Sequence, residues 1–280
     1  MGKLYHYCTV ETLKCILQYK TLRLADIRKS NDSKEINYLF DEYKKWFLKQ
    51  NNYSSEAYRQ ISALSVDEKI QLENTVFLVS CFSKKADDLH MWSCYANKGV
   101  CIAFDENKLK KYIDRIHYGM KNELKDMKVT SACPSLAFRK VEYYNSTSIV
   151  NYFNAKLNSN NNQYSDFFTI FKESPFIKND FFKNEKEVRI VHTYISNPNE
   201  VNYLSLVDSK GNVEKDIKFQ SASSDRYQHK MVVDIPIEPS LIKSITIGPN
   251  STLTKQDVDE LLFINGIDGV DVDISKGTYR

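Results

Sequence analysis

The chain has 280 residues, of which 42% are hydrophobic, and its 39 Lys and Arg nearly balance 36 Asp and Glu, for a formal charge of +3. This length allows a substantial core in one large domain or two small ones. Proteins dedicated to nucleic-acid binding usually carry a stronger, clustered basic excess, so the charge argues against a long nucleic-acid track.

The first residues lack the basic and apolar pattern of an export signal. The apolar run VFLVSCF is far too short to span a bilayer. The six cysteines include no CxxC pair, which is typical of reduced thiols in an intracellular protein. We therefore expect a cytoplasmic protein without a membrane partner.

Helical periodicity begins after Thr9, which can cap a helix containing Val10, Leu13, Ile16 and Leu17. The segment 21–26 alternates like a short strand. A turn at 31–33 then precedes a second helix with one shared apolar face: Ile36, Leu39, Phe40, Tyr43 and Phe47. One or two further helices are expected within 54–74.

Apolar segments predict buried strands at 75–83 and 99–105, joined by a short helix or loop at 87–98. Further strands are expected at 187–194, 230–236, 244–249 and 269–275, with a helix capped by Thr254 before the last. The pattern predicts an α+β fold, a single domain over 1–280 around one mixed sheet. A helical insertion is expected at about 106–180, with a surface loop at 158–163.

Four stretches combine polar groups with apolar neighbours. The fourth is the C-terminal SKGTYR with Tyr279 and Arg280, for which a frayed terminus is the favoured interpretation. In LYHYC, His6 can hydrogen-bond a ligand hydroxyl or the backbone. In HMWSCYANKG, Trp92 and Tyr95 are three residues apart, so on a helix they share a face that packs into the core or stacks on a planar ring.

The third stretch is KNDFFKNEKEVRIV. In an extended chain Glu185, Glu187 and Arg189 point one way, while Val188 and Ile190 point the other. Beside Arg189, Glu187 would stay ionised. An ordinary cross-strand ion pair is the alternative interpretation.

Several known motifs are missing. The sequence has no GxGxxG, no GxxxxGK[ST], no GxSxG and no HExxH. His90 and Cys94 have i, i+4 spacing, but no second pair at zinc-ligand spacing accompanies them. No metal cofactor is expected.

Together these stretches resemble a widespread bacterial family, domain of unknown function 2971, along the whole chain. The segments that carry the likeness are Leu4–Cys8, Asn31–Ser33, Ser80–Ser83, Leu89–Phe104, Lys178–Arg189, Ile242–Pro249 and Ser275–Arg280. The sequence departs from the family pattern at Cys8 (usually Thr or Ser), Ser33 (Pro), and Phe182 and Val188 (both Trp).

The central blocks also resemble the ADP-ribosyltransferase fold with a split sheet, in the class read as histidine, aromatic, glutamate. The resemblance implies that NAD is the substrate and that no metal is needed. His6 would bind a ribose hydroxyl, and Tyr95, or else Trp92, would stack on nicotinamide. Glu187 would orient the nicotinamide ribose and stabilise its developing charge, and Glu185 would position the acceptor or the incoming nucleophile.

The same resemblance puts Tyr7 and Arg189 in the NAD site. It implies an ADP-ribosyltransferase or NAD glycohydrolase whose acceptor is nucleic acid, protein or water, with a role as a toxin or phage-defence effector. Two other functions stay open: a nucleotide-binding sensor without turnover, and a metal-dependent nuclease with Asp32, Glu35, Glu185 and Glu187 as ligands. The sequence does not indicate the oligomeric state.

Overall fold

A computed structural model describes residues 2–29, 35–118, 135–157, 163–195, 203–224 and 227–277. The turn expected at Asn31–Ser33, including Asp32, lies outside these ranges, as do 158–162 of the expected loop and the final Tyr279 and Arg280. The expectations for those residues stay predictions.

The described part of the chain forms eight α-helices: α1 Val10–Tyr19, α2 Asn37–Gln50, α3 Ser55–Asn74, α4 Leu89–Tyr95, α5 Glu106–Ile113, α6 Ser148–Lys156, α7 Gln163–Glu173 and α8 Lys255–Ile264. Short 3₁₀ helices span Ile27–Lys29, Ser174–Phe176, Asp180–Glu185 and Pro239–Leu241. The caps predicted for two helices are confirmed. Thr9 accepts from the backbone N–H of Thr12, and Thr254 forms a reciprocal capping box with Asp257. None of these described helices is both long enough and apolar enough to cross a membrane.

The strands in the same ranges are β1 Lys3–Cys8, β2 Thr21–Asp26, β3 Thr75–Ser83, β4 Val100–Asp105, β5 Ile116–Tyr118, β6 Ala137–Lys140, β7 Glu142–Tyr144, β8 Ile177–Asn179, β9 Glu187–Ile195, β10 Tyr203–Val207, β11 Val213–Ser224, β12 Tyr227–Pro236, β13 Ile242–Ile247 and β14 Asp271–Ile274. Twelve of them form one sheet, while β7 and β8 form a separate parallel pair. The large sheet is mixed, because β13 and β14 run parallel and its other pairs are antiparallel.

Strand β3 is the branch point of the large sheet. It pairs with β9 along its whole length, from Thr75 to Ser83. It also pairs with β1 through Ser83 alone, and with β2 through Leu78 and Val79. Strands β1 and β2 therefore leave β3 at different points, and the sheet divides into a β1–β4–β13–β14 branch and a β2–β12–β11–β10–β5 branch.

Both faces of β3 and β9 are buried, as their near-continuous apolar sequences predict. Leu78 and Ile190 belong to a core that also contains α1, α5 and α8 side chains. Phe77 and Val191 point the other way, into a core formed with α2, α6 and α7. Side chains therefore pack against both faces of these two strands.

A mixed sheet with helices confirms the α+β class in its coarse form. Strands β10 and β11 were not predicted. Strand β11 lacks an apolar pattern because it is polar and mostly exposed. The segment 106–180 does contain α5, α6 and α7, but β5 and β6 within it join the main sheet. The segment is thus helical in large part but also supplies strands, and the domain division with its insertion stays a prediction.

Candidate functional site

The first residues of β9 present charged side chains on one face of the sheet. Val188 and Ile190 lie in a hydrophobic core, as predicted, so Glu187 and Arg189 point to the opposite face. Across the pair of strands, Ser83 of β3 lies opposite Glu187. The strand alternation thus fixes the directions of both charged groups.

Glu185 reaches the same face by a different route from the one predicted. It ends the 3₁₀ helix Asp180–Glu185 and precedes Lys186, whose φ of 45° places it in the left-handed region and separates Glu185 from the strand. The Ser83 hydroxyl donates to the backbone carbonyl of Glu185 at 2.6 Å, which fixes this turn. Extended-chain alternation therefore does not explain why Glu185 lies near Glu187.

Lys178, on β8, connects three carboxylates. Its Nζ lies 2.8 Å from Glu185 Oε2, 3.1 Å from Glu187 Oε2 and 3.0 Å from Glu35 Oε1. All four side chains are at most 7% exposed. A buried carboxylate requires such a partner, because an unpaired ion loses its hydration without compensation.

Arg189 is the second cation of this cluster and is 1% exposed. Its Nη2 donates to Glu187 Oε2 at 2.8 Å and also to Glu35, and its Nη1 donates to the carbonyl of Pro175 at 2.6 Å. With three carboxylates and two cations, the five buried side chains carry a formal charge of −1 when all are ionised. Arg189 therefore holds the carboxylates through ion pairs and is too buried to contact a ligand.

These contacts set the charge state of Glu187. Desolvation alone would raise the pKa of this carboxyl, but the positive charges of Arg189 and Lys178 lower it to about 2. For Lys178, desolvation would lower the pKa, and the surrounding carboxylates raise it instead. At neutral pH the site therefore holds a carboxylate ion and an ammonium ion in contact.

Tyr95, the last residue of α4, joins the cluster from the solvent side. Its hydroxyl donates to Glu185 Oε1 at 2.5 Å, while 42% of the residue remains exposed. Desolvation and the Glu185 charge raise the pKa of Tyr95, so its hydroxyl stays protonated and remains the donor. The structure thus brings together Tyr95, Glu185, Glu187 and Arg189 of the predicted residues.

Trp92 and Tyr7 belong to a separate small core with Met91, Ala96 and Cys101. Trp92 is 2% exposed, and its Nε1 donates to Asp87 at 2.8 Å. The Tyr7 ring packs edge-on against Trp92, with centroids 4.8 Å apart. Although Trp92 and Tyr95 share a short helix, only Tyr95 offers its ring to a ligand.

Tyr7 holds the connection into α4 in place. Its hydroxyl donates to the carbonyl of Lys85 and accepts from the N–H of Asp88, both at 3.0 Å. Asp87, between them, has φ 46° and also accepts from the Ser275 hydroxyl and the N–H of Lys276. Tyr7 and Trp92 therefore fix the position of the helix that carries Tyr95.

His6 lies where β1 leaves β3. Its Nδ1 donates to the carbonyl of Cys81 at 2.9 Å, so a neutral ring keeps Nε2 as an acceptor. Desolvation lowers the pKa of His6, although its bond to Cys81 opposes this effect. His6 contacts the backbone of β3, the strand paired with β9, but its hydrogen bond does not reach the carboxylates.

Cys81, on β3, interacts with Glu187. Its side chain is exposed, yet desolvation by the surrounding protein, followed by the charge of Glu187, raises its pKa well above the ordinary value. Cys81 lies opposite Arg189 in the pairing of β3 with β9. The thiol is protonated at neutral pH, so it can donate to Glu187 but is a weak nucleophile.

Comparison with protein families gives one match. Residues 91–190 match a family model described as Protein of unknown function (DUF2971). This match supports the assignment of residues 91–190 to the DUF2971 family. The matched range contains Tyr95, Lys178, Glu185, Glu187 and Arg189. Comparisons with curated proteins and with solved structures found no match.

Sequence reasoning missed the central cation of the site. Lys178 begins the third quoted stretch, but its spacing from Glu185 and Glu187 gives no sign of a contact, because it lies on a different strand. Glu35 was considered only as a metal ligand. In the structure it bonds to Lys178 and Arg189 instead.

Among the residues that the structure describes, no group of three or more His, Cys, Asp or Glu side chains is arranged to hold a metal ion. His90 and Cys94 do lie in contact on α4, with the sulfur 3.9 Å from the ring nitrogens. The carboxylates of Glu35, Glu185 and Glu187 are paired with the ammonium group of Lys178, and Glu35 and Glu187 also with the guanidinium group of Arg189.

Proposed function

We propose that the chain is an NAD-binding protein of the ADP-ribosyltransferase kind, which transfers ADP-ribose from NAD to an acceptor. The observation that carries the proposal is the connected set from half-exposed Tyr95 through Glu185 and Lys178 to ionised Glu187. It combines an accessible aromatic ring with a carboxylate whose negative charge persists at neutral pH.

The chemistry of NAD cleavage suits this combination. When the bond between nicotinamide and ribose breaks, its electron pair leaves with nicotinamide, and positive charge develops on the ribose as in glycoside cleavage. A fixed carboxylate near that carbon stabilises the transition state. Glu187 supplies the charge, and Glu185, bonded to Tyr95, positions the incoming nucleophile.

The other residues take roles that follow from their placement. His6 accepts a hydrogen bond from a ribose hydroxyl through Nε2, since its Nδ1 is bonded to Cys81. The exposed ring of Tyr95 stacks on nicotinamide. Arg189 acts through Glu187, which its positive charge keeps ionised.

The test incubates the protein with NAD labelled in its ADP-ribose part and a bacterial lysate. The Glu187→Gln variant keeps the size of the side chain and removes its charge. Asp234→Asn is the matched control, because it breaks a bidentate pair with Arg23 elsewhere in the same sheet. Far-UV circular dichroism and thermal unfolding establish that each variant is folded.

Transfer of label by the wild type and by Asp234→Asn, but not by Glu187→Gln, would support the transferase. Release of free ADP-ribose alone would indicate an NAD glycohydrolase that uses the same residues. If no protein consumes NAD, the catalytic proposal fails. Binding of NAD by calorimetry without turnover would then favour the sensor, which the low exposure of Glu185 and Glu187 also favours.

A further inference from the structure

Aromatic rings surround the outer side of the carboxylate cluster. Phe181 is 81% exposed and lies in the 3₁₀ helix that ends at Glu185. Its neighbour Phe182 packs edge-on against it, with centroids 5.2 Å apart, and lies 5.1 Å from Lys178 Nζ. Tyr95 is bonded to Glu185 of the same segment. Phe181 thus belongs to a group of rings next to the site.

The charge along this segment is positive toward solvent. Lys183 and Lys186 are exposed and have no ion-pair partner within the described ranges. Of the neighbouring acids, Glu185 is buried and accepts from Lys178, whereas Asp180, just before the segment, accepts from the side-chain amide of Asn145, which brings no positive charge. The segment 181–186 therefore offers an exposed ring and two unneutralised ammonium groups within six residues.

We propose that the acceptor, on the basis of the transferase function proposed above, is single-stranded nucleic acid that binds on segment 181–186. An unpaired base stacks on Phe181, and the two lysines contact flanking phosphates. Aromatic rings interleaved with cations are the means by which proteins hold single strands, since every base has a face that can stack. A duplex keeps its bases stacked on one another and cannot use Phe181 in this way.

The net charge of the chain and the number of exposed lysines limit how many phosphates the bound strand can contact. A net charge of +3 over the chain does not support a long track. Two lysines contact about two phosphates, so the observed binding constant should fall with salt at a slope of about −1.4 on logarithmic axes. The bound strand is therefore short, and it lies beside Glu185, where the proposed nucleophile is positioned.

The first measurement is fluorescence anisotropy of labelled (dT)12, (rU)12 and a matched duplex, at 50 to 200 mM NaCl. Phe181→Ala tests stacking, and Lys183→Gln with Lys186→Gln tests the phosphate contacts. Phe263→Ala is a matched control, because Phe263 is 82% exposed on α8. Lys215→Gln with Lys218→Gln is the control for the lysines, with the same spacing on exposed β11 positions.

We expect Phe181→Ala to weaken single-strand binding about tenfold, and the lysine pair to reduce the salt slope by about 1.4. The controls should bind like the wild type. Equal affinities for all variants, or tighter binding of the duplex, would overturn the proposal. Comparison of the DNA and RNA strands identifies which sugar is preferred.

The second measurement separates this inference from the proposed function. Labelled NAD is supplied together with the oligonucleotides and with lysate protein. Label on the single strand supports both proposals, whereas label on protein alone overturns the nucleic-acid acceptor and leaves the transferase. If NAD is not consumed, the proposed transferase fails, and with it the acceptor role, while the anisotropy still decides whether segment 181–186 binds single strands.

Discussion

The hydroxyl of Tyr95 lies 2.5 Å from Oε1 of Glu185, so the end of α4 is bonded to the segment that leads into β9. The other oxygen of Glu185 accepts from Lys178, so one carboxylate joins the accessible ring to the buried cluster. Movement of Tyr95 would therefore alter the environment of Glu185 directly.

Two variants separate the ring of Tyr95 from its hydroxyl. Tyr95→Phe removes one hydrogen bond and should cost about 1 kcal/mol of stability while NAD affinity stays within about threefold. Tyr95→Ala also removes the stacking surface and should weaken NAD binding about tenfold or more. Calorimetry measures the NAD affinity of both variants. An alanine variant that binds NAD like the wild type would show that the ring does not contact the ligand.

Lys178→Met should be among the most destabilising substitutions in the chain. It leaves three buried carboxylates without their shared ammonium group, at a cost of about 3–5 kcal/mol at pH 7. The control is Arg59→Met, whose ion pair with Glu56 is exposed on both sides, at 78% and 53%, and should cost less than about 1 kcal/mol. Urea unfolding at pH 7 compares the two.

The pH dependence of the Lys178→Met variant provides a second readout. Lys178 is one of the two cations that lower the pKa of Glu187, so its loss raises that pKa, and lowering the pH toward 5 should reduce the stability deficit. A deficit that stays constant between pH 7 and pH 5 would mean that lost packing, and not unpaired charge, causes the effect.

Acid should destabilise the protein through Glu187. Its folded pKa of about 2 is below the ordinary value of 4.5, so ionisation stabilises the folded state above pH 4.5, and this contribution is lost as the pH falls toward 2. The gap corresponds to about 3 kcal/mol at neutral pH. Urea unfolding at pH 6 and pH 3 should give a smaller difference for Glu187→Gln than for the wild type. Equal differences would show that Glu187 is not the group responsible.

Trp92→Phe tests whether Trp92 supports α4 or binds a ligand. The substitution keeps a buried ring but removes the donor to Asp87, so we expect a loss of about 1–2 kcal/mol and unchanged NAD affinity. Thermal unfolding and calorimetry measure the two quantities. A tenfold loss of affinity in a fully folded variant would instead assign Trp92 to the NAD site.

The elements that the sequence predicts well are those with strong local signals. Helix α1 has a cap and regular apolar spacing, and β3 is apolar throughout, because both of its faces are buried. Strand β11 lacks such a signal because most of its side chains face solvent, and it is held by its neighbours β10 and β12. Tertiary pairing decides its structure, which local patterns do not encode.

The candidate site shows the same division. Alternation along β9 correctly placed Glu187 and Arg189 on the face opposite Val188 and Ile190. The contacts of Lys178 depend on how β8 lies beside the end of β9, and no spacing rule contains that information. The burial of Trp92 next to the exposed Tyr95 depends on the packing of Tyr7 from β1. These relationships join residues far apart in the chain.

The branch of the sheet that holds α4 is built from opposite ends of the sequence. Strand β4 lies between β1 and β13, and Asp87 is bonded to Ser275 and Lys276. All five members of the buried charge cluster lie within residues 35–189 and leave the ribosome well before β13. During synthesis the five charged residues can therefore come together first. The branch of the sheet that holds α4 and Tyr95 gains its last strands only after about 90% of the chain has been made, in keeping with the slow closure of non-local strand pairs.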